Sequence, residues 1–143
     1  MRLFDILFEE LQQWFKPSWE EEQEEFERSI EDLNISDVSL EDLEDKFESG
    51  SLVSLSDDIW RQMENTDSWD IKSIEDAEHY AEMYERDLGG LLKALRDKQP
   101  LPAPIVLMKP DGVPYLVAGN TRLMASRALN ITPKVWMVNL HNL

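Results

Sequence analysis

The chain has 143 residues and no cysteine, and 42% of its residues are hydrophobic and 31% charged. This length predicts one domain, or one small domain with an appendage, and the missing thiols exclude a disulfide framework, a thiolate zinc site and a cysteine nucleophile. The formal net charge is −16, and residues 1–97 hold 29 of the 30 acids but only 9 of the 14 bases. So acidic a chain is not expected to bind DNA directly, although its C-terminal third is basic.

The opening segment, "MRLFDILFEELQQWF", is predicted to be a helix over 2–15, because its apolar residues recur at nearly helical spacing. Acids interrupt the apolar stretch, and a single arginine is its basic flank. Such a segment is typical of neither a secretory signal nor a membrane span. Together with the absence of cysteine, this favours a cytoplasmic protein that does not act at a membrane.

The next segments are amphipathic and predict further helices. Their approximate ranges are 19–33, 39–50, 54–65 and the longest, 73–100. Polar residues precede the last three as expected N-caps, namely Ser39, Ser56 (or Asp57) and Ser73. Gly89-Gly90 is expected to kink the longest helix or to divide it in two. Residues 1–70 are therefore predicted to form an acidic, all-helical N-terminal region.

The pattern changes near residue 102, where short apolar runs replace amphipathic ones. "APIVLM", "VPYLVA" and "KVWMVNL" predict three strands, "KPDG" predicts a turn between the first two, and "NTRLMASRALN" predicts a helix before the third. This order predicts an α+β fold with a small mixed sheet. We assign residues 71–143 to this core.

The stretch "YLVAGNTRLMASRAL" passes from the second strand through a tight turn into the helix. Gly119 permits a sharp exit from the strand and lets a ligand approach the backbone, and Asn120 or Thr121 can cap the helix. The free N–H groups of the first helical turn, together with Arg122, suit a phosphate. The same four residues also fit an ordinary strand-to-helix corner with a surface arginine, because short glycine motifs are weak signals. By themselves they leave both interpretations open.

A longer pattern surrounds this corner. In order along the chain it comprises a helix, Pro104-Ile105-Val106, the turn Gly119-Asn120-Thr121-Arg122, Ala125, Pro133 and the strand Val135–Val138. In order and spacing it resembles the core of the ParB/sulfiredoxin superfamily, often labelled the ParB-like nuclease domain. The resemblance implies a ParB/sulfiredoxin-like sheet for residues 71–143, and the short chain is most similar to small stand-alone members found in phages and mobile elements.

The resemblance also implies a function. In that superfamily the Gly-x-x-Arg loop holds nucleotide phosphates, so Gly119, Asn120, Thr121 and Arg122 are expected to bind ATP, ADP or CTP, with Mg²⁺ as the accompanying ion. NTP hydrolysis or nucleotide-dependent phosphoryl transfer to an acceptor, as in a kinase, is then the expected reaction. The chain lacks the cysteine that sulfiredoxins place in this motif. It also lacks the second arginine and the helix-turn-helix domain of partitioning proteins, so neither of those activities is expected.

Phosphoryl transfer needs a carboxylate near the phosphate loop, to act as a base or to hold a metal ion. Superfamily geometry places the helix before the first strand beside that loop, so Glu85 and Asp87 are the predicted catalytic residues, with Asp97 third. His79 and Glu82 share a helix face with two further glutamates, which permits a metal site. A solvated acidic face explains that spacing better, and we predict no metal site formed by the protein alone.

The acidic run "EEEQEEFERSIED" supports a competing, non-enzymatic hypothesis. Its first interpretation is a solvated face that maintains solubility. Its second is an interaction surface for a basic host or DNA-handling protein, or for another copy of this chain in a homo-oligomer. The nuclease activity that the superfamily label suggests is disfavoured, because the acidic charge opposes DNA.

Overall fold

The computed structural model describes residues 13–35, 39–84 and 86–140. These residues form a mixed α and β structure with small sheets. The six α-helices in the described ranges are α1 (Trp19–Asp32), α2 (Leu40–Glu48), α3 (Asp57–Gln62), α4 (Ile74–Met83), α5 (Leu88–Arg96) and α6 (Asn120–Ala128). A short 3₁₀ helix, Ser68–Asp70, lies between α3 and α4. The predicted α+β class is confirmed.

The same ranges contain six strands. They are β1 (Trp14–Phe15), β2 (Ser51–Ser54), β3 (Leu101–Pro102), β4 (Ile105–Met108), β5 (Pro114–Ala118) and β6 (Lys134–Asn139). Four of them form one sheet in the order β2-β6-β4-β5, while β1 and β3 pair separately in parallel. In the large sheet β6 lies antiparallel to β2 and parallel to β4, and β4 lies antiparallel to β5. The three strands predicted from the C-terminal third are confirmed as β4, β5 and β6.

The N-terminal half is not all-helical, and that part of the prediction is wrong. Strand β2 supplies an edge of the four-stranded sheet, where Leu52 pairs with Trp136 and Val53 with Val135. Strand β1 occupies the end of the helix predicted over 2–15, and residues 1–12 lie outside the described residues. The division at residue 70 stays a prediction, although the sheet includes a strand from each side of it.

Both faces of the sheet are buried, as expected for strands that appear in the sequence as continuous apolar runs. Ile105 and Leu107 of β4 belong to a large core that also contains residues of α1, α2, α5 and α6. Val106, between them, points to a second core on the opposite face, formed with Leu116 and Trp60. This alternation follows from the two-residue period of a strand. The sheet is therefore held on both sides, and the loops at its edge start from fixed positions.

Serine caps begin three of the helices as predicted. The Ser39 hydroxyl accepts from Asp42 N at 3.1 Å, Ser56 from Ile59 N at 3.3 Å, and Ser73 from Asp76 N at 3.1 Å. The longest predicted helix is divided, but before its glycine pair. Helix α4 ends at Met83, and α5 begins after Asp87, whose carboxylate accepts from Gly90 N at 3.3 Å. Gly89-Gly90 therefore lies in the first turn of α5.

Candidate functional site

The strand-to-helix corner after β5 depends on a glycine. Gly119 has φ of 104°, in the left-handed region that other residues rarely adopt. A Cβ there would lie 2.6 Å from Pro104 Cβ, so the buried proline leaves no room for a side chain. Gly119 is also the N-cap of α6 and provides no side-chain cap, so the prediction that Asn120 or Thr121 caps this helix is wrong. The first N–H groups of a helix have no intrahelical acceptor, and the structure shows no backbone acceptor among the described residues for those of Asn120, Thr121 and Arg122.

A cavity of about 390 Å³ opens in front of this turn; we call it the corner cavity. Its lining consists of Glu25, Asn65, Arg86, Leu116, Val117, Ala118, Gly119, Asn120, Thr121 and Arg122. All four residues predicted to hold a phosphate are among them. Helix α1 contributes Glu25 at one side, so the acidic N-terminal region reaches the cavity but leaves it open. The predicted turn and an acidic helix therefore face the same space.

The Arg122 guanidinium already makes a hydrogen bond within the protein. Its guanidinium donates to the carbonyl of Pro102 and lies against Gly119. Burial lowers the pKa of Arg122 below its ordinary value, and the nearby Glu22 carboxylate on α1 opposes that shift. The side chain thus connects the β3 segment to the corner, and Arg122 is also among the residues that line the cavity. The contact with Pro102 O was not part of the prediction for Arg122.

Arg86 is a second cation at the cavity, and our sequence reasoning missed it. It lies in the short connection between α4 and α5 and is exposed. The sequence did carry a signal, since Arg86 is the one lysine or arginine between Lys72 and Lys93, in an otherwise acidic helical segment. Because Arg86 is exposed, its donors are hydrogen-bonded to water before an anion binds. On binding they exchange these bonds for charge-assisted hydrogen bonds to the anion.

A second cavity of about 530 Å³ adjoins the first; we call it the tyrosine cavity. It shares Asn65, Arg86 and Asn120 with the corner cavity, so the two form one cleft. Tyr80 and Tyr84 line it, with ring centroids 4.5 Å apart and planes inclined by 36°. The cleft thus has a cationic end with free backbone N–H groups and an aromatic end.

A hydrogen-bond chain fixes the residue that joins the two cavities. Thr66 Oγ1 lies 2.5 Å from Asn120 Oδ1. Thr66 Oγ1 also lies 2.8 Å from Ser68 Oγ, which in turn accepts from Trp60 Nε1 at 2.8 Å. Because an amide oxygen can only accept, the Thr66 proton goes to Asn120. The chain fixes the orientation of Asn120 from the buried side.

The segment that carries Thr66 is attached to the outer edge of β5. Glu64 N donates to Pro114 O at 2.9 Å, and Leu116 N donates to Glu64 O at 3.0 Å. Asn65 Nδ2 donates to Leu116 O at 2.8 Å. These bonds cover the edge of the sheet and hold one wall of the cleft as rigidly as a strand.

The pKa of Glu22 on α1 depends on how this helix packs beside Arg122 at the strand-to-helix corner. Its partial burial raises the pKa of Glu22 above its ordinary value, while Arg122 acts to lower it. Because the folded-state pKa lies above the unfolded one, the folded chain holds more protons, and stability from this group decreases as pH rises through the raised pKa. Glu22→Gln is therefore expected to match wild type in acid and to be neutral or stabilising by less than about 1 kcal/mol near neutral pH.

Urea unfolding of Glu22→Gln at acidic and at neutral pH measures this effect. Glu24→Gln is the matched control, since Glu24 is exposed on the same helix. A clear loss of stability for Glu22→Gln at neutral pH would show that the attraction to Arg122 outweighs the cost of burial.

The structure describes two of the three predicted catalytic carboxylates, and each has a different position. Asp87 caps α5, so its carboxylate is engaged with a backbone N–H, and Asp97 is the C-cap residue of the same helix. Glu85 lies outside the described residues. Across residues 13–35, 39–84 and 86–140, the structure brings no three histidine, aspartate or glutamate side chains together as a metal site, His79 and its neighbours included.

Comparison of the chain with models of protein families, with curated proteins and with solved structures returned no match. In the part of the chain that the structure describes, no helix has both the length and the apolar character needed to cross a bilayer. The function must therefore be argued from the cleft itself.

Proposed function

We propose that the chain binds a nucleoside di- or triphosphate in the cleft and is a nucleotide-binding member of the ParB/sulfiredoxin superfamily. The phosphates are held at the Gly119–Arg122 turn, with ATP, ADP and CTP the nucleotides that the resemblance suggests. Arg86 adds a second cation at the same end. Hydrolysis or phosphoryl transfer is the accompanying reaction.

The observation that carries the proposal is the make-up of the cleft from end to end. One end offers free N–H groups of a helix start, which attract anions, and two arginines, which suit phosphate oxygens. The other end offers the ring pair of Tyr80 and Tyr84, a surface on which a base stacks. Asn120 lies between them and is already oriented. A nucleotide has this same order of anionic and aromatic parts.

The acids beside the corner cavity set a condition on binding. Glu25 lines that cavity and pairs with Arg28 through one carboxylate oxygen at 2.8 Å. A bare polyphosphate there would still meet a like charge at the other oxygen. Mg²⁺ relieves this repulsion, since it is usually held by one or two carboxylates together with substrate phosphates. We therefore propose that the nucleotide enters as its magnesium complex, with Glu25 as the carboxylate on the protein side.

Arg122→Ala is expected to weaken nucleotide binding about tenfold or more, on the order of 1.4 kcal/mol. The reason is the loss of a guanidinium that lines the cavity and of the charge it places beside the helix start. The measurement is calorimetry with the common nucleoside di- and triphosphates, ATP, ADP and CTP among them, with and without magnesium. Absence of heat with all of them contradicts the proposal.

Two further variants separate binding from folding. Because Arg122 also donates to Pro102 O, its removal is expected to lower the melting temperature, and calorimetry is run well below the midpoint of each variant. Arg86→Ala removes an exposed cation from the same cavity and is expected to weaken binding without that loss of stability. Arg96→Ala, an exposed arginine in the last turn of α5, is the matched control and is expected to bind as wild type does.

A second candidate function rests on the acidic surface of α1 and α2. The two helices pack together, and both turn acids to solvent. The exposed acids on them are Glu20, Glu21, Glu24, Glu25, Glu31, Asp32, Glu41, Asp42, Glu44, Asp45 and Glu48. A surface of one charge sign favours a partner of the opposite sign. The proposed partner is a basic protein, and the chain then acts without catalysis.

A pull-down with a basic partner distinguishes this candidate from the first. Retention that decreases with salt and with glutamine substitutions over 20–27, but is unchanged in Arg122→Ala, supports the interaction protein. Retention that follows Arg122 and nucleotide instead supports the first proposal.

A further inference from the structure

The tyrosine cavity contains a negatively charged side chain, which has no role in binding a phosphate. Asp67 lines this cavity and is exposed, and it is the only carboxylate among the described lining residues. Its Oδ2 lies 3.5 Å from the hydroxyl of Tyr80, at the limit of a hydrogen bond. Both carboxylate oxygens therefore keep lone pairs for a ligand, and a carboxylate accepts from two adjacent N–H groups at once.

The neutral groups around Asp67 are already engaged with one another. The Thr66 hydroxyl bonds Asn120 Oδ1 at 2.5 Å. Asn65 donates to Leu116 O at 2.8 Å. Asp67 and Arg86 are thus the charged groups that line this cavity, and of the two only Asp67 accepts hydrogen bonds.

The position of Asp67 is fixed by its neighbours along the chain. The backbone before it is bonded to the edge of β5. The backbone after it is bonded to α6, where Arg127 Nε donates to Trp69 O at 3.0 Å. The Arg127 guanidinium also lies 3.8 Å from the centre of the Trp69 ring. The backbone that carries Asp67 is therefore attached on both sides, which lowers the ordering cost of binding a ligand at this carboxylate.

We propose that Asp67 selects the base of the bound nucleotide, and that the preferred base is guanine. This inference rests on the proposed function. Guanine carries a ring N–H beside an exocyclic amino group on one edge, and that donor pair matches the two oxygens of a carboxylate. Adenine and cytosine offer an amino group next to a ring acceptor, which a carboxylate repels. The base stacks on the tyrosine pair, where Tyr84 is 53% exposed and open to contact.

The test is calorimetry of the full chain with guanosine, inosine, adenosine and cytidine diphosphates in the presence of magnesium. Guanosine diphosphate is expected to bind most tightly. Inosine diphosphate lacks only the exocyclic amino group and is expected to bind about tenfold more weakly, because one charge-assisted hydrogen bond is lost. This ligand pair needs no mutation, so a folding defect cannot affect the result.

The Asp67→Asn variant gives a reversal of preference. An asparagine amide accepts one hydrogen bond and donates one, which matches the N–H and adjacent carbonyl of xanthine. The variant is expected to lose about tenfold in affinity for guanosine diphosphate and to gain about as much for xanthosine diphosphate. Asp70→Asn changes an exposed aspartate in the 3₁₀ helix that Asp67 precedes; it is the matched control and is expected to keep the wild-type preference.

The outcomes separate the two proposals. Equal affinity for all four bases, or tighter binding of adenosine or cytidine diphosphate, overturns the selection of guanine and leaves nucleotide binding standing. Binding of no nucleotide overturns nucleotide binding, and base selection with it. A guanine preference that survives Asp67→Asn unchanged overturns the role of Asp67.

Discussion

Gly119→Ala is expected to destabilise the protein by about 3 kcal/mol and to abolish nucleotide binding. Its φ of 104° is a conformation that alanine adopts only with strain. The new Cβ would also lie 2.6 Å from Pro104 Cβ and 2.8 Å from Pro104 Cα, and the buried backbone there cannot move aside. To relieve these contacts the turn must shift, and the shift displaces the helix start. It also displaces Arg122, whose Nη2 would lie 3.0 Å from the new Cβ.

Two other glycines separate the causes of this loss, with urea unfolding as the measurement. Gly112, with φ of 87° and open space around it, carries the strain alone, so Gly112→Ala is expected to cost about 1 kcal/mol. Gly89 lies in helix α5 with open space and no left-handed φ. Gly89→Ala is expected to stabilise the protein by up to about 1 kcal/mol. Equal losses for Gly119→Ala and Gly112→Ala would refute the contact with Pro104.

Phe47→Ala is expected to cost about 3–5 kcal/mol, the range for removing a large buried aromatic side chain. Phe47 is fully buried, and its ring centroid lies 5.3 Å from that of Trp19, 5.7 Å from Phe26 and 6.2 Å from Trp136. Its carbonyl also accepts from Trp136 Nε1 at 2.9 Å. This one side chain joins α1 and α2 to the sheet.

Equilibrium unfolding monitored by tryptophan fluorescence measures the effect, because two of the three neighbours are tryptophans. Phe15, 45% exposed, is the matched control, and Phe15→Ala is expected to cost less than about 1 kcal/mol. If the two variants lose similar stability, the acidic helices do not depend on the aromatic cluster for their attachment to the sheet.

Much of the C-terminal third was predictable from sequence, since its strands are buried on both faces and therefore form continuous apolar runs. The sharp turn at Gly119, the helix that follows it and three serine caps depend on local chemistry, and the structure confirms them. Strand β2 was not predictable in this way. "SLVS" has only two apolar residues, and what makes it a strand is pairing with β6, some 80 residues later.

The candidate site shows the same limit. The turn Gly119–Arg122 was visible as a motif because its residues are consecutive. Arg86, Tyr80 and Asp67 reach it through tertiary packing, and nothing in their own neighbourhoods indicates a shared cleft. The engagement of Arg122 with Pro102 O was equally hidden, because a motif gives the type of a side chain but not the direction in which it folds.

The strand order β2-β6-β4-β5 has a consequence for how the protein is made. The earliest strand of this sheet pairs only with the latest one. Until β6 has been synthesised, β2 therefore has no neighbour in the sheet, and β4 has only β5. Contacts between residues so far apart in sequence form slowly. Until they form, the unpaired strand edges make the chain prone to aggregation. The density of acids on α1 and α2 then acts before the fold is complete, because like charges keep nascent chains apart while the sheet is still open.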